Sequence, residues 1–136
     1  MFDINIVRKL LAKYDGDQGS SFDVQEIPGE TPTFSVVVDD REELPIYISS
    51  TDEEVLCICH LFDEDEVKSE SLAEMNKAML SMNLPMPLSS FGLIGSQYVV
   101  FGAMSARSDI DELAHELATL SGNSIDAIEA LSDYLK

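Results

Sequence analysis

The run Cys57-Ile58-Cys59-His60 is the first place in this 136-residue chain where residue types could do chemistry. Alternate side chains of a strand point the same way, so Cys57 and Cys59 could offer two thiolates to a soft metal ion or act as a redox pair. His60 would then point to the opposite face, and no second cysteine pair completes a four-ligand site. The plainer reading is that two small residues fill a core, because free cysteine is among the most buried residue types. A disulfide between positions so close on one strand would be strained. The other histidine, His115, lies off the stripe formed by Ile110, Leu113 and Leu117 and reads as an exposed helical residue. No nucleophile elbow, zinc-binding His-Glu-x-x-His run or glycine-rich phosphate loop accompanies it. Gly102, inside a predicted strand, marks a bulge or a close backbone approach.

Two other patterns have a chemical reading. Asp15, Asp17, Asp23 and Glu26 fall at calcium-loop spacing. However, Gly19 stands where a ligand is needed, Ser20 stands where glycine is needed, and a strand follows instead of a helix. Leu72, Met75, Met79 and Met82 share one helical face, and Met86 follows just beyond it. Such a stripe either packs into the core or offers a soft surface that receives a partner's apolar segment, because unbranched thioethers repack readily. A thioether copper site is a third reading. These five residues are the candidate partner-binding set. No catalytic residue, cofactor or metal site is assigned.

The elements that must position these residues follow from periodicity. Ile4, Val7, Leu11 and Tyr14 predict a first helix over residues 4–14. Strands are predicted from Phe22, from Thr33 to Val38, from Leu44 to Ile48 and from Val55 to Phe62, the last so apolar that both faces should be covered. Ser49 to Glu54 reads as a hairpin loop. Asp63 to Glu66 are acids at a helix entry, where the helix dipole favours them. Ser71 with Glu74 predicts a capping box for the methionine-bearing helix, which Asn83 and the following Pro85 and Pro87 end. Two strands, Phe91 to Ile94 and Tyr98 to Met104, join at Gly95-Ser96. Ser108 with Asp111 caps the next helix, Ser121-Gly122-Asn123 interrupts it, and Ser124 starts a last one. Helices are too few to cross over between strands. The expectation is one α+β domain over residues 1–136, a two-layer sandwich with a mostly antiparallel sheet and helices on one face.

Charge narrows the function classes. Eight Lys and Arg against 26 Asp and Glu give a net charge of −18, while 45% of residues are apolar. That apolar content separates the chain from disordered acidic tails. Eight cations spread along it cannot build a nucleic-acid or anionic-lipid footprint. The N-terminal residues lack a basic and then apolar leader pattern, and the apolar runs fall short of the ~20 residues that span a bilayer. Two unpaired thiols fit a reducing compartment, so the expected location is the cytoplasm.

The stretch from Leu84-Pro85-Met86-Pro87 through Phe91-Gly92, the strand Tyr98 to Ser105, Leu44 to Ile48 and the Val55 run resemble the YjfI-like family. That is a bacterial family of unknown function, and the resemblance implies an envelope-stress context without implying a reaction. The element order is also similar to the type III secretion chaperone-like fold, whose members are small, acidic and usually dimeric and hold a partner segment. Four strands before the methionine helix, where that fold has three, depart from it. The leading expectation is a non-enzymatic, cytoplasmic protein-binding module, chaperone-like or regulatory. It would be a homodimer formed through a sheet edge or the methionine helix, with no nucleic acid and no membrane insertion. The alternatives are a metal-binding or redox protein using Cys57 and Cys59, and an acidic nucleic-acid mimic that binds a basic protein.

Overall fold

The computed structural model describes residues 21–29 and 33–136. The predicted first helix, with Ile4, Val7, Leu11 and Tyr14, lies outside the described residues, as do Asp15 and Asp17 of the calcium-loop pattern.

The elements run β1 (Phe22–Ile27), β2 (Thr33–Val38), β3 (Ile46–Ser50), β4 (Glu54–Asp63), α1 (Leu72–Met82), β5 (Ser90–Ile94), β6 (Gln97–Ser105) and α2 (Ile110–Leu131). The six strands of the described residues form one sheet in the order β1-β2-β3-β4-β6-β5, with every pairing antiparallel. Four strands do precede α1. Every neighbouring pair is antiparallel; β2, β3 and β4 follow one another across the sheet, whereas α1 carries the chain from β4 past β6 to the β5 edge, and β5 returns directly into β6.

Strand period sets the two faces. Phe34, Val36 and Val38 of β2, Ile46 and Ile48 of β3, and Val55, Cys57 and Cys59 of β4 are buried on the face that receives the helices. A bulge between His60 and Phe62 lets Phe62 keep that side and pair with Tyr98. On the opposite face, Leu56, Ile58 and His60 are only half-buried. The Val55 run is therefore central in the sheet but is not sealed on both sides by the described elements.

Three local expectations change. Ser71 makes no side-chain cap, because a 3-10 turn at Ser69–Ser71 leads directly into α1. Asp109, not Ser108, caps α2, its carboxylate accepting from the Glu112 amide at 2.9 Å. The chain does not break at Ser121-Gly122-Asn123, and α2 runs unbroken for 22 residues. Ser124, expected to start a new helix, instead donates from its hydroxyl to the Leu120 carbonyl at 2.8 Å. Ser121 accepts Arg41 Nη1 at 2.9 Å. Both hydroxyls are satisfied, Ser124 by the backbone of α2 itself and Ser121 by Arg41. Their small size also lets α2 settle closely onto the sheet over Cys59, which interacts with Ser124.

Candidate functional site

The acidic and thiol motifs disperse. Asp63 accepts from the Asp65 amide and Glu66 reaches back to the Asp63 amide, a capping box on a 3-10 turn and not on α1. The Asp65 amide and the Ser96 hydroxyl hold the Asp63 carboxyl below its ordinary range. Asp23 and Glu26 project from opposite faces of β1, so they cannot share an ion. Cys57 and Cys59 share the core face as predicted, and His60 points away, edge-on to Tyr47 at 5.8 Å. Burial pushes the Cys57 thiol up to about 12, with the Glu116 charge adding to it, and burial also raises Cys59. Burial thus favours the protonated form of both thiols, which is not the nucleophile. His115 is exposed on α2.

The methionine stripe divides. Met75 is 0% and Met79 is 4% exposed, sealed into the core by this chain's own side chains. Leu72, Met82 and Met86 are half-buried against that core. Met82 and Met86, with Pro85, Pro87, Phe91 and Ala127, line a shallow cavity of about 260 Å³ between the α1–β5 loop and α2. That loop is fixed at both ends. Phe91 donates its amide to Asn83 Oδ1 at 2.7 Å, and Asn123 donates to the Pro87 carbonyl at 2.9 Å and to Ser89 Oγ at 3.1 Å.

The apolar surface that does face solvent lies beside the stripe. Leu80 is 71% and Leu93 55% exposed, and Leu84, Leu88 and Ile94 are exposed too. Leu80 and Leu93 border a groove of about 270 Å³ between α1 and β5, floored by Met79, Phe91 and Tyr98. Tyr98 donates its hydroxyl to Asn76 Oδ1 at 2.8 Å, so the groove floor is polar only where it is satisfied. β5 is an edge strand without a charged residue, whereas the other edge, β1, carries Asp23 and Glu26. Charges are a common guard on sheet edges, and β5 lacks them. Sequence spacing located α1 correctly but did not show that Leu80, one position past the stripe, faces outward next to β5.

One functional candidate was invisible in the motif search. Glu116 is 6% exposed, and its Oε1 has no hydrogen-bond partner among the described residues. It lies over Gly102, which pairs with Cys57 in the sheet. The sequence signal was its position, three residues after Leu113 and four before Leu120 on the buried stripe of α2. Gly102 is thus a point of close approach, as its place in a strand predicted.

Comparison with known proteins accords with this geometry. Residues 1–135 match the family described as an uncharacterized protein conserved in bacteria, DUF2170, and the chain belongs to that family. It is 35% identical over 65 residues to the uncharacterized protein YjfI of Escherichia coli K12, and equally to that of strain O157:H7. That match covers 45% of this chain and 49% of each relative, so the shared stretch spans about half the length of the curated relatives. The fold is similar to a chain in the crystal structure of the ExsC-ExsE complex, with TM-score 0.56 and 18% identity over 91% of this chain and 92% of that one. It is also similar to an uncharacterized protein from Methanothermobacter thermautotrophicus, with TM-score 0.67 and 15% identity over 97% and 98%. These likenesses show an α+β, type III secretion chaperone-like fold. No described helix is long and apolar enough to cross a membrane.

Proposed function

We propose that this member of an uncharacterized bacterial family is a non-enzymatic protein-binding module, chaperone-like or regulatory, that works in the cytoplasm as a homodimer. The observation that carries the reading is the gathering of exposed Leu80, Leu93 and Ile94 around an uncharged sheet edge in a chain of charge −18. Exposed apolar surface concentrated in one place marks an interaction site. The fold likeness to a chain solved within a two-protein complex supports the same reading. So does the scatter of reactive groups, with both thiols under α2, His60 on the far face of the sheet and His115 on the outside of α2. A link to envelope stress rests on the family resemblance alone.

The α1–β5 groove is where two copies would meet, because it joins both surfaces expected to pair them, a sheet edge and the methionine helix. Within the candidate set, Met79 floors this groove, Met82 and Met86 line the neighbouring cavity against α2, Met75 is buried in the core and Leu72 packs against it. Light scattering tests the dimer. The wild type should run as two chains at micromolar concentration, and Leu80→Asp/Leu93→Asp as one folded chain. A monomeric wild type would remove the homodimer from the proposal.

A further inference from the structure

The sheet face turned away from α1 and α2 has an unusual charge pattern for so acidic a chain. A half-exposed antiparallel sheet ordinarily alternates apolar residues inward with polar and charged residues outward. Here the register places Tyr47, Ile58 and Phe101 in one row across β3, β4 and β6. His60 and Val99 pair in the neighbouring row, and Leu56 lies on the other side of Ile58. Phe101 and Val99 lean over Gly92, where an added Cβ would meet the Phe101 ring at 3.0 Å, so the apolar field continues onto β5. Leu56, Ile58, Leu93, Ile94 and Phe101 line a shallow depression of about 270 Å³ on this face, with Val99, only 1% exposed, at its floor.

Carboxylates are excluded from the centre of this field. Among the acids of the described residues, only Asp23, Glu54 and Asp63 occupy strand positions on this face, and each stands at its margin. Asp23 is on the β1 edge, and Glu54 and Asp63 are at the two ends of β4. No Lys or Arg lies on these strands. A dry, uncharged centre inside a charged rim is the anatomy of a protein-binding surface.

We propose that this face binds an apolar segment of a different protein, one whose flanking Lys or Arg residues meet the rim carboxylates. The inference rests on the protein-binding reading above and assigns it a second surface, which adjoins the α1–β5 groove at Gly92 and Leu93 of the β5 edge. The rim decides the occupant. A second copy would bring its own carboxylates against Asp23, Glu54 and Asp63, and an anionic membrane surface would be repelled by them. A segment with an apolar centre and basic flanks satisfies both zones.

The test is selection of random displayed peptides on the immobilised full chain, followed by mapping the best binder on methyl groups by NMR. The expected consensus is a short apolar cluster with Lys or Arg beside it, and shifts at Leu56, Ile58 and Val99. Ile58→Asp should weaken binding about tenfold or more, whereas Leu80→Asp on α1 should leave it unchanged. Should Ile58→Asp fail to fold, Ile58→Ser replaces it, with a smaller loss in the same direction. Rising salt should weaken binding through the rim. No enrichment, an acidic consensus or a footprint confined to α1 would overturn the proposal. So would shifts at Ile58 and Val99 that grow with protein concentration alone, which would mean self-association, or binding to neutral phosphatidylcholine vesicles in place of peptide. A failed selection together with a dimer broken by Leu80→Asp/Leu93→Asp would refute this surface and leave the dimer standing.

Discussion

Glu116 fills the space that a side chain at position 102 would occupy. A Cβ added to Gly102 would overlap Glu116 Oε1 and would come within 3.2 Å of the Leu88 carbonyl. Glycine is needed here for packing and not for backbone strain, since the sheet pairing continues normally through Cys57 and Gly102. Gly102→Ala should therefore destabilise by about 2–3 kcal/mol, an overpacking cost, in urea denaturation. The double variant Gly102→Ala/Glu116→Ala should recover part of that loss, because removing the carboxylate opens the space. Additive losses would show that the two positions do not compete.

The same pair gives a pH dependence. Burial raises the Glu116 pKa above its ordinary value, and His115 opposes this with a smaller effect. The Cys57 thiol on β4 faces the same carboxylate. For an acid whose pKa is raised by folding, the native state binds more protons than the unfolded one between the two values, so stability falls as pH rises. The contribution is complete below the unfolded value of about 4.3 and is lost as pH rises through the folded value. Stability curves of wild type and Glu116→Gln, measured across that window, should diverge as pH rises, with wild type losing ground. Parallel curves would contradict a Glu116 whose pKa is raised by burial.

Thiol accessibility tests the metal or redox alternative. With both cysteines buried and their pKa values raised, an aromatic disulfide reagent should titrate neither in the native protein near pH 7 and both after unfolding. Two thiols reacting within minutes in the folded state would revive that alternative.

The methionine stripe can be separated from the surface beside it. Met75→Asp places a carboxylate at a fully buried site and should abolish cooperative folding, whereas Leu80→Asp should melt close to wild type. Circular dichroism melts decide this. A well-folded Met75→Asp would mean that the stripe is open to solvent.

The β2–β3 turn offers a stabilising change. Asp39 and Asp40 both adopt positive φ, at 51° and 60°. Asp39 is held there because its carboxylate accepts the Ser21 amide at 2.8 Å. No such bond from the Asp40 side chain is present among the described residues, so Asp40→Gly should gain about 0.5–1 kcal/mol by relieving the left-handed conformation. A loss of stability in the same denaturation experiment would show that Asp40 is held by something other than backbone geometry.

Much of this architecture is legible in the residues. Val55 to Phe62 reads as a strand because nothing in it can turn, and Leu72, Met75 and Met79 read as a helix because their spacing fits no strand. What escaped the sequence depends on tertiary partners. Ser121-Gly122-Asn123 carries the composition of a helix break, but Arg41, 80 residues away, and the Leu120 carbonyl satisfy the hydroxyls that would otherwise unravel it. Glu116 sits at a core position of α2 that spacing alone would give to leucine, and only the missing side chain at Gly102 makes room for it. The uncharged centre of the sheet face was present in the alternation of β3, β4 and β6, yet it becomes a surface only when register aligns Tyr47, Ile58 and Phe101 in one row.

The account's central claim is that this protein works by holding another protein chain. The most direct measurement is photo-cross-linking in the native bacterium, with a photoreactive residue placed at position 56 on the sheet face turned away from α1 and α2, at position 80 on α1, or at position 129 on α2. The account predicts a discrete adduct with a different polypeptide from position 56, an adduct of two copies from position 80, and neither from position 129. Absence of any adduct at both 56 and 80, with the protein folded and at its natural abundance, would contradict it.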